Sequence, residues 1–137
     1  MSVIYYSSND NETSERLQRI IEAEALREEI ELYQSIEEFS KRLRQPNMEN
    51  NIAILLISAI AEIYQGCSIK KLSNNARVIL VLPDRSDEMI SAGYKLHPRF
   101  ISYIDSDFRD VAIVLRRMIK LAEKNTAVAQ ETFTELH

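Results

Sequence analysis

Apolar and polar positions follow two periods along this chain, and the switches between them mark its elements. Asn51-Ile52-Ala53-Ile54-Leu55-Leu56-Ile57-Ser58 and Val78-Ile79-Leu80-Val81-Leu82 are apolar without alternation. Short runs of that kind predict strands buried on both faces, as in the middle of a parallel sheet. Val3-Ile4-Tyr5-Tyr6, Ile30-Glu31-Leu32-Tyr33 and Phe100-Ile101-Ser102-Tyr103-Ile104 predict three more strands, the second a short edge. Between them the spacing turns helical: Leu17, Ile20, Ile21 and Leu26; then Ile36, Phe39 and Leu43; then Ile60, Ile63 and Tyr64. The third helix is expected to break near Gly66, to resume over Ile69 and Leu72, and to end at Ser73-Asn74-Asn75.

Punctuation agrees with the periods. Ser7-Ser8-Asn9-Asp10-Asn11 are turn and N-cap formers ahead of the first helix. Ser35-Ile36-Glu37-Glu38 is a capping box, and Gln45-Pro46 stops the helix it opens. Asp84 or Ser86 caps a short helix carrying Met89, Ile90 and Tyr94. The last helix has its stripe at Val111, Val114, Leu115, Met118 and Leu121, and a loose polar tail is expected over 126–137 after a domain spanning 1–125. The order βαβαβαβαβα, with two fully apolar middle strands, predicts a doubly wound α/β sheet of five parallel strands in the order 2-1-3-4-5. Its functional edge is where the strands' carboxyl ends meet the switch point between the first and third strands.

At 137 residues this is one domain with room for a core. A net charge of -4 argues against nucleic acid, which asks for a clustered positive surface. Lone Cys67 excludes an internal disulfide and suits a reducing cytoplasm, and is read as a structural thiol. No apolar run reaches the ~20 residues of a membrane span. The chain reads as opening at its own Met1, without the basic start of a signal peptide and without an N-terminal partner domain. The expected location is the cytoplasm.

Length, five βα units and a long amphipathic last helix give residues 3–124 a pattern that resembles the receiver domain of bacterial response regulators. That resemblance implies an acidic, magnesium-holding pair after the first strand and a phosphate-accepting aspartate after the third. It also implies a hydroxyl after the fourth strand and a lysine after the fifth. Here the acidic pair falls on Ser7 and Ser8, with Asp10 nearby. The acceptor falls on Ile57 or Ser58, the hydroxyl on Leu82 with Pro83 and Asp84 behind it, and the lysine on Asp105. An isoleucine is no nucleophile, two serines are poor magnesium ligands, and an aspartate repels a phosphate. No general base is identifiable beside Ser58. The resemblance therefore implies a degenerate receiver, not an enzyme, with no catalytic residue, metal or cofactor.

Its partner is expected to be another signalling protein, or a second copy, on the face of the fourth helix, fifth strand and fifth helix. Met89, Tyr94, Tyr103, Arg116 and Lys120 would lie there. The alternative is a flavodoxin-like binder: Ser7 to Asn11, with Thr13 behind them, is similar to the hydroxyl-rich loop that holds the phosphate of FMN. Against it stand Asp10, Asn11 where a glycine would be, Glu12, and only two glycines in the chain. Asp10, Asp84, Asp105 and Asp107 all follow strands. Capping and turn formation is the favoured role for them, and a cation cluster would rest on Asp10 and Asp105. His97, in the loop before the fifth strand, is read as a surface residue.

Overall fold

The computed structural model describes the backbone of residues 1–46, 50–70 and 76–135, with side chains over 1–46, 50–66 and 76–124. Five strands and five helices alternate: β1 Ser2–Ser7, α1 Glu12–Glu24, β2 Glu29–Tyr33, α2 Ile36–Leu43, β3 Ile52–Leu56, α3 Ile60–Lys70, β4 Arg77–Leu82, α4 Asp87–Tyr94, β5 Phe100–Tyr103 and α5 Arg109–Glu135. Every pairing is parallel and the sheet order is β2-β1-β3-β4-β5, as the alternation predicts.

The unalternating strands are explained by what covers them. Successive side chains of a strand point to opposite faces, so Ile4, Tyr6, Ala53, Leu55, Val78, Leu80 and Leu82 meet α2, α3 and α4 through Phe39, Leu43, Ile63, Met89 and Ala92. Val3, Tyr5, Ile52, Ile54, Leu56, Ile79 and Val81 meet α1 and α5 through Leu17, Ile21, Val111, Leu115 and Met118. Edge strand β2 is only partly covered, with Leu32 exposed, and its Glu31 holds Arg42 of α2 through paired bonds of 2.8 and 3.0 Å.

Helix starts follow the sequence signals. Asn11 caps α1 by accepting from the Ser14 amide, Ser35 caps α2, and Ser86 rather than Asp84 caps α4. Asp84 instead accepts from the Ser86 amide at 2.9 Å, which sets the turn leading into that cap.

Four expectations are corrected. Helix α1 ends at Glu24, where Ala25 turns inward and bonds back to Ile21, leaving Leu26 83% exposed. Helix α3 runs unbroken through Gly66, whose value is closeness: a Cβ there would stand 3.3 Å from Leu96 Cδ2. Its expected continuation over Leu72 and Ser73-Asn74-Asn75 lies outside the described residues. On α5 the inward positions after Met118 are Ile119 and Ala122, while Leu121 is half exposed. The backbone of α5 also stays helical to Glu135 through the expected loose tail, where no proline or glycine interrupts it.

The turn from β5 into α5 is built on an unusual backbone. Phe108 has φ 64 yet is fully buried, with the Arg16 guanidinium 4.8 Å above its ring. A bulky residue in the left-handed region is strained. Ser106 Oγ accepts the Phe108 amide at 3.0 Å and donates to Asp110, which ties the turn together around the buried ring.

Burial on both faces makes β3 the costliest strand to damage. Ile54→Ala should lower unfolding free energy by about 3 kcal/mol in urea titration. Leu26→Ser, at a position the helical stripe marks as core, should change it by no more than about 0.5 kcal/mol.

Candidate functional site

The carboxyl ends of β1 and β3 face the first turns of α1 and α3, and a cleft opens there. It has a volume of about 150 Å3 and is lined by Ser7, Asn9, Asn11, Thr13, Leu56, Ile57, Ser58, Pro83 and Ile104. One wall is hydroxyl and amide, the floor is aliphatic, and no lining residue is charged. Ile57 closes the end of β3. Its amide still joins the ladder, donating to the Val81 carbonyl at 2.9 Å, and its side chain is 1% exposed in the core under α2, α3 and α4.

The serine hydroxyls around the cleft are already engaged. Ser7 Oγ donates to the Asn9 carbonyl at 2.9 Å. Ser8 Oγ lies 3.1 Å from Ser58 Oγ and 3.3 Å from Glu62 Oε1, and Ser58 Oγ donates to the same carboxylate oxygen. A carboxylate thus stands beside Ser58 where none was identified from sequence. The signal was the i, i+4 spacing of Ser58 and Glu62, which brings side chains onto one side of a helix start. Glu62 Oε2 is closed to solvent and accepts no hydrogen bond of ordinary geometry. Tyr6 lies beside it: burial first, then the Glu62 charge and contact, push the Tyr6 phenol up to about 12.

Farther along the edge, Asp105 is ion-paired with Arg85, whose guanidinium also sits 4.2 Å over the Tyr103 ring. The Arg85 partner holds the Asp105 carboxyl below its usual range. Both side chains are more than half exposed, so the pair is screened and contributes little to stability. Its effect is local neutrality, which the position of Asp105 by itself did not announce. Leu82, at the end of β4, is wholly buried and offers no hydroxyl.

The remaining aspartates act in turns. Asp84 is held low by the Ser86 hydroxyl and amide, and Asp107 accepts the Arg109 amide at 3.0 Å. Asp10 is exposed in the β1–α1 loop. Among the described residues no three His, Cys, Asp or Glu side chains come together as a metal group. A receiver's magnesium does not fit this donor set. Ser7 and Ser8 are turned to protein partners, and Glu62 gives one oxygen to two hydroxyls while its other is closed off.

The expected contact face divides. Tyr94 is 62% exposed, Lys120 is exposed and Tyr103 is half-buried beneath Arg85. Met89 is not presented: it is 7% exposed and packs into the core under α4. Arg116 is turned to the other side of α5, where its guanidinium makes bonds of 2.9 and 2.8 Å to Glu24 of α1. Exposed Ile104 and Ile113 were not anticipated from the pattern. His97 is exposed, and the Cys67 side chain lies outside the described residues.

No protein-family model and no curated protein matches the sequence. Solved structures do. A response regulator receiver domain protein (CheY-like) from Methanospirillum hungatei JF-1 is similar with a TM-score of 0.69 at 15% identity, over 90% of this chain and 97% of that one. The signal receiver domain of an HD domain-containing protein from Pseudomonas fluorescens Pf-5 gives 0.69 at 11% identity, over 92% and 91%. An adenylate cyclase structure from Rhodopirellula baltica gives 0.63 at 9%, over 96% of each chain. At such identities the likeness is one of fold. The chain has the receiver-like, CheY-like form of the flavodoxin-like architecture. No helix among the described residues is long and apolar enough to cross a membrane.

The coupling of Tyr6 to Glu62 can be read directly. In Glu62→Gln the Tyr6 phenol, followed by the tyrosine ring carbon in NMR, should titrate below the wild-type value of about 12 yet above its ordinary value of 10.0, because burial remains. A phenol raised in the folded state binds its proton longer than in the unfolded chain. Stability should therefore fall as pH rises between those two values, and less steeply in the variant.

Proposed function

We propose that this chain is a receiver-like signalling module that works through protein–protein contact, without aspartyl phosphorylation and without enzymatic activity. The observation that carries the reading is Ile57: a buried aliphatic side chain closes the strand end where a receiver's acceptor carboxylate would stand. Phosphoryl transfer to an acyl oxygen needs that carboxylate as nucleophile, and neither Ile57 nor the Glu62-bound Ser58 provides it. Asp105, paired with Arg85 in place of a free lysine, supports the same reading.

Signalling without the phosphate requires a surface that partners read as it stands. Tyr94, Tyr103, Ile104 and Lys120, around α4, β5 and α5, offer aromatic and aliphatic area beside a positive charge, the composition that contact sites favour. The partner is another signalling protein or a second copy of this chain, in the cytoplasm. Neither nucleic acid nor a membrane is part of the proposal.

Incubation with acetyl phosphate and magnesium should leave the intact mass unchanged. A stable phosphorylated species, on a carboxylate or on Ser58, would overturn the proposal. For the contact face, Tyr94→Ala should weaken self-association in sedimentation, or retention of a partner from the source cytoplasm, by at least about tenfold, the usual loss at a hot-spot aromatic. Its melting temperature should hold within about 2 °C, because the side chain is mostly in water. Equal binding by wild type and Tyr94→Ala would remove this face from the proposal.

A further inference from the structure

We infer that the cleft at the ends of β1 and β3 binds a small uncharged molecule that has an apolar body and donates one hydrogen bond, with Ser58 Oγ as the acceptor. This goes beyond the contact function, which needs no ligand.

Size, lining and proton placement each narrow the occupant. A volume of about 150 Å3 holds a body of roughly benzene size. The floor of Leu56, Ile57, Pro83 and Ile104 rewards an apolar body, while Ser7, Asn9, Asn11, Thr13 and Ser58 supply polar orientation from one side. A few placed polar groups over an aliphatic floor is how small-molecule sites are commonly built.

The hydroxyl hydrogens decide polarity. Ser58 donates its hydrogen to Glu62 Oε1, and Ser8 places its own on Glu62 or on Ser58. Ser58 Oγ is then left with lone-pair capacity for a donor from the cleft. Ser7 likewise gives its hydrogen to the Asn9 carbonyl. An anion such as phosphate would find these hydrogens taken and the Glu62 charge one hydrogen bond away. It would also find no cation among the lining residues, since Arg85 is engaged by Asp105. A divalent cation would have to displace both hydroxyls from Glu62 to reach its oxygen. Asn9, Asn11 and Thr13 complete the polar wall, and the group that Ser58 Oγ favours is a neutral donor, of the chemistry of a phenol, an aromatic alcohol or an azole N–H.

The test is a two-dimensional amide NMR titration of the full chain with phenol, anisole and inorganic phosphate as probes. Phenol should shift amides of residues 7–13 and 56–58 saturably in the millimolar range. Anisole, the same body without the donor, should bind about fivefold more weakly, the worth of one hydrogen bond. Phosphate should leave those amides in place. Ser58→Ala, at an exposed position that the core does not use, should bring phenol down to the level of anisole. Absence of saturable shifts with phenol would overturn the inference. So would equal binding of phenol and anisole by the wild type, or tighter binding of phosphate at the same amides.

Discussion

Everything in this molecule depends on the burial of β1, β3 and β4 on both of their faces. A strand covered from two sides presents alternate side chains to two separate cores, one under α2, α3 and α4 and one under α1 and α5. The two cores share their strands, because each middle strand supplies alternate apolar side chains to each. The parallel ladder follows, since each crossover must carry a helix back over the sheet. The same constraint fixes where chemistry can occur. With both faces sealed, polar groups converge at the strand ends, and the reversal of winding order between parallel β1 and β3 leaves a gap there.

The groups around that gap are the ones the proposed function rests on. The edge is not stripped of polar groups. It is a set of closed pairs: Ser8 and Ser58 on Glu62, Asp105 on Arg85, Asp84 on the Ser86 amide and Asp107 on the Arg109 amide. Most of these carboxylates and hydroxyls already have a protein partner, and Arg85 and Arg109 offset the charges of Asp105 and Asp107. An uncharged cleft suits an uncharged guest.

The sequence pattern was a good guide wherever one residue's surroundings could be inferred from its own strand or helix. The five strands, their order and the cap at Ser35 follow from local spacing, and the caps at Asn11 and Ser86 are among the candidates it offers. It misled where local spacing was ambiguous. Leu26 and Leu121 fit a helical stripe by count, yet the chain turns at Ala25 in one case and Ile119 and Ala122 face inward in the other. Gly66 reads as a break but serves a close approach to Leu96. Met89 and Arg116 belong to elements of the expected contact face, but one points under α4 and the other toward α1.

By itself, then, the sequence determined the class of fold and the edge on which any site must lie, because periodicity reports which way a side chain faces. It also determined that β3 runs out into Ile57 and Ser58 with no carboxylate beside them in sequence, because identity alone settles which groups a strand end carries. Only the tertiary structure decided the pairings. Ser8 meets Ser58 across 50 positions, Arg116 meets Glu24 across 92, and Arg85 meets Asp105 across 20. Periodicity holds no record of what stands on the other side of a gap. The charge, the proton placement and the open space of the site belong to those meetings, and they exist only once the sheet has brought the loops together.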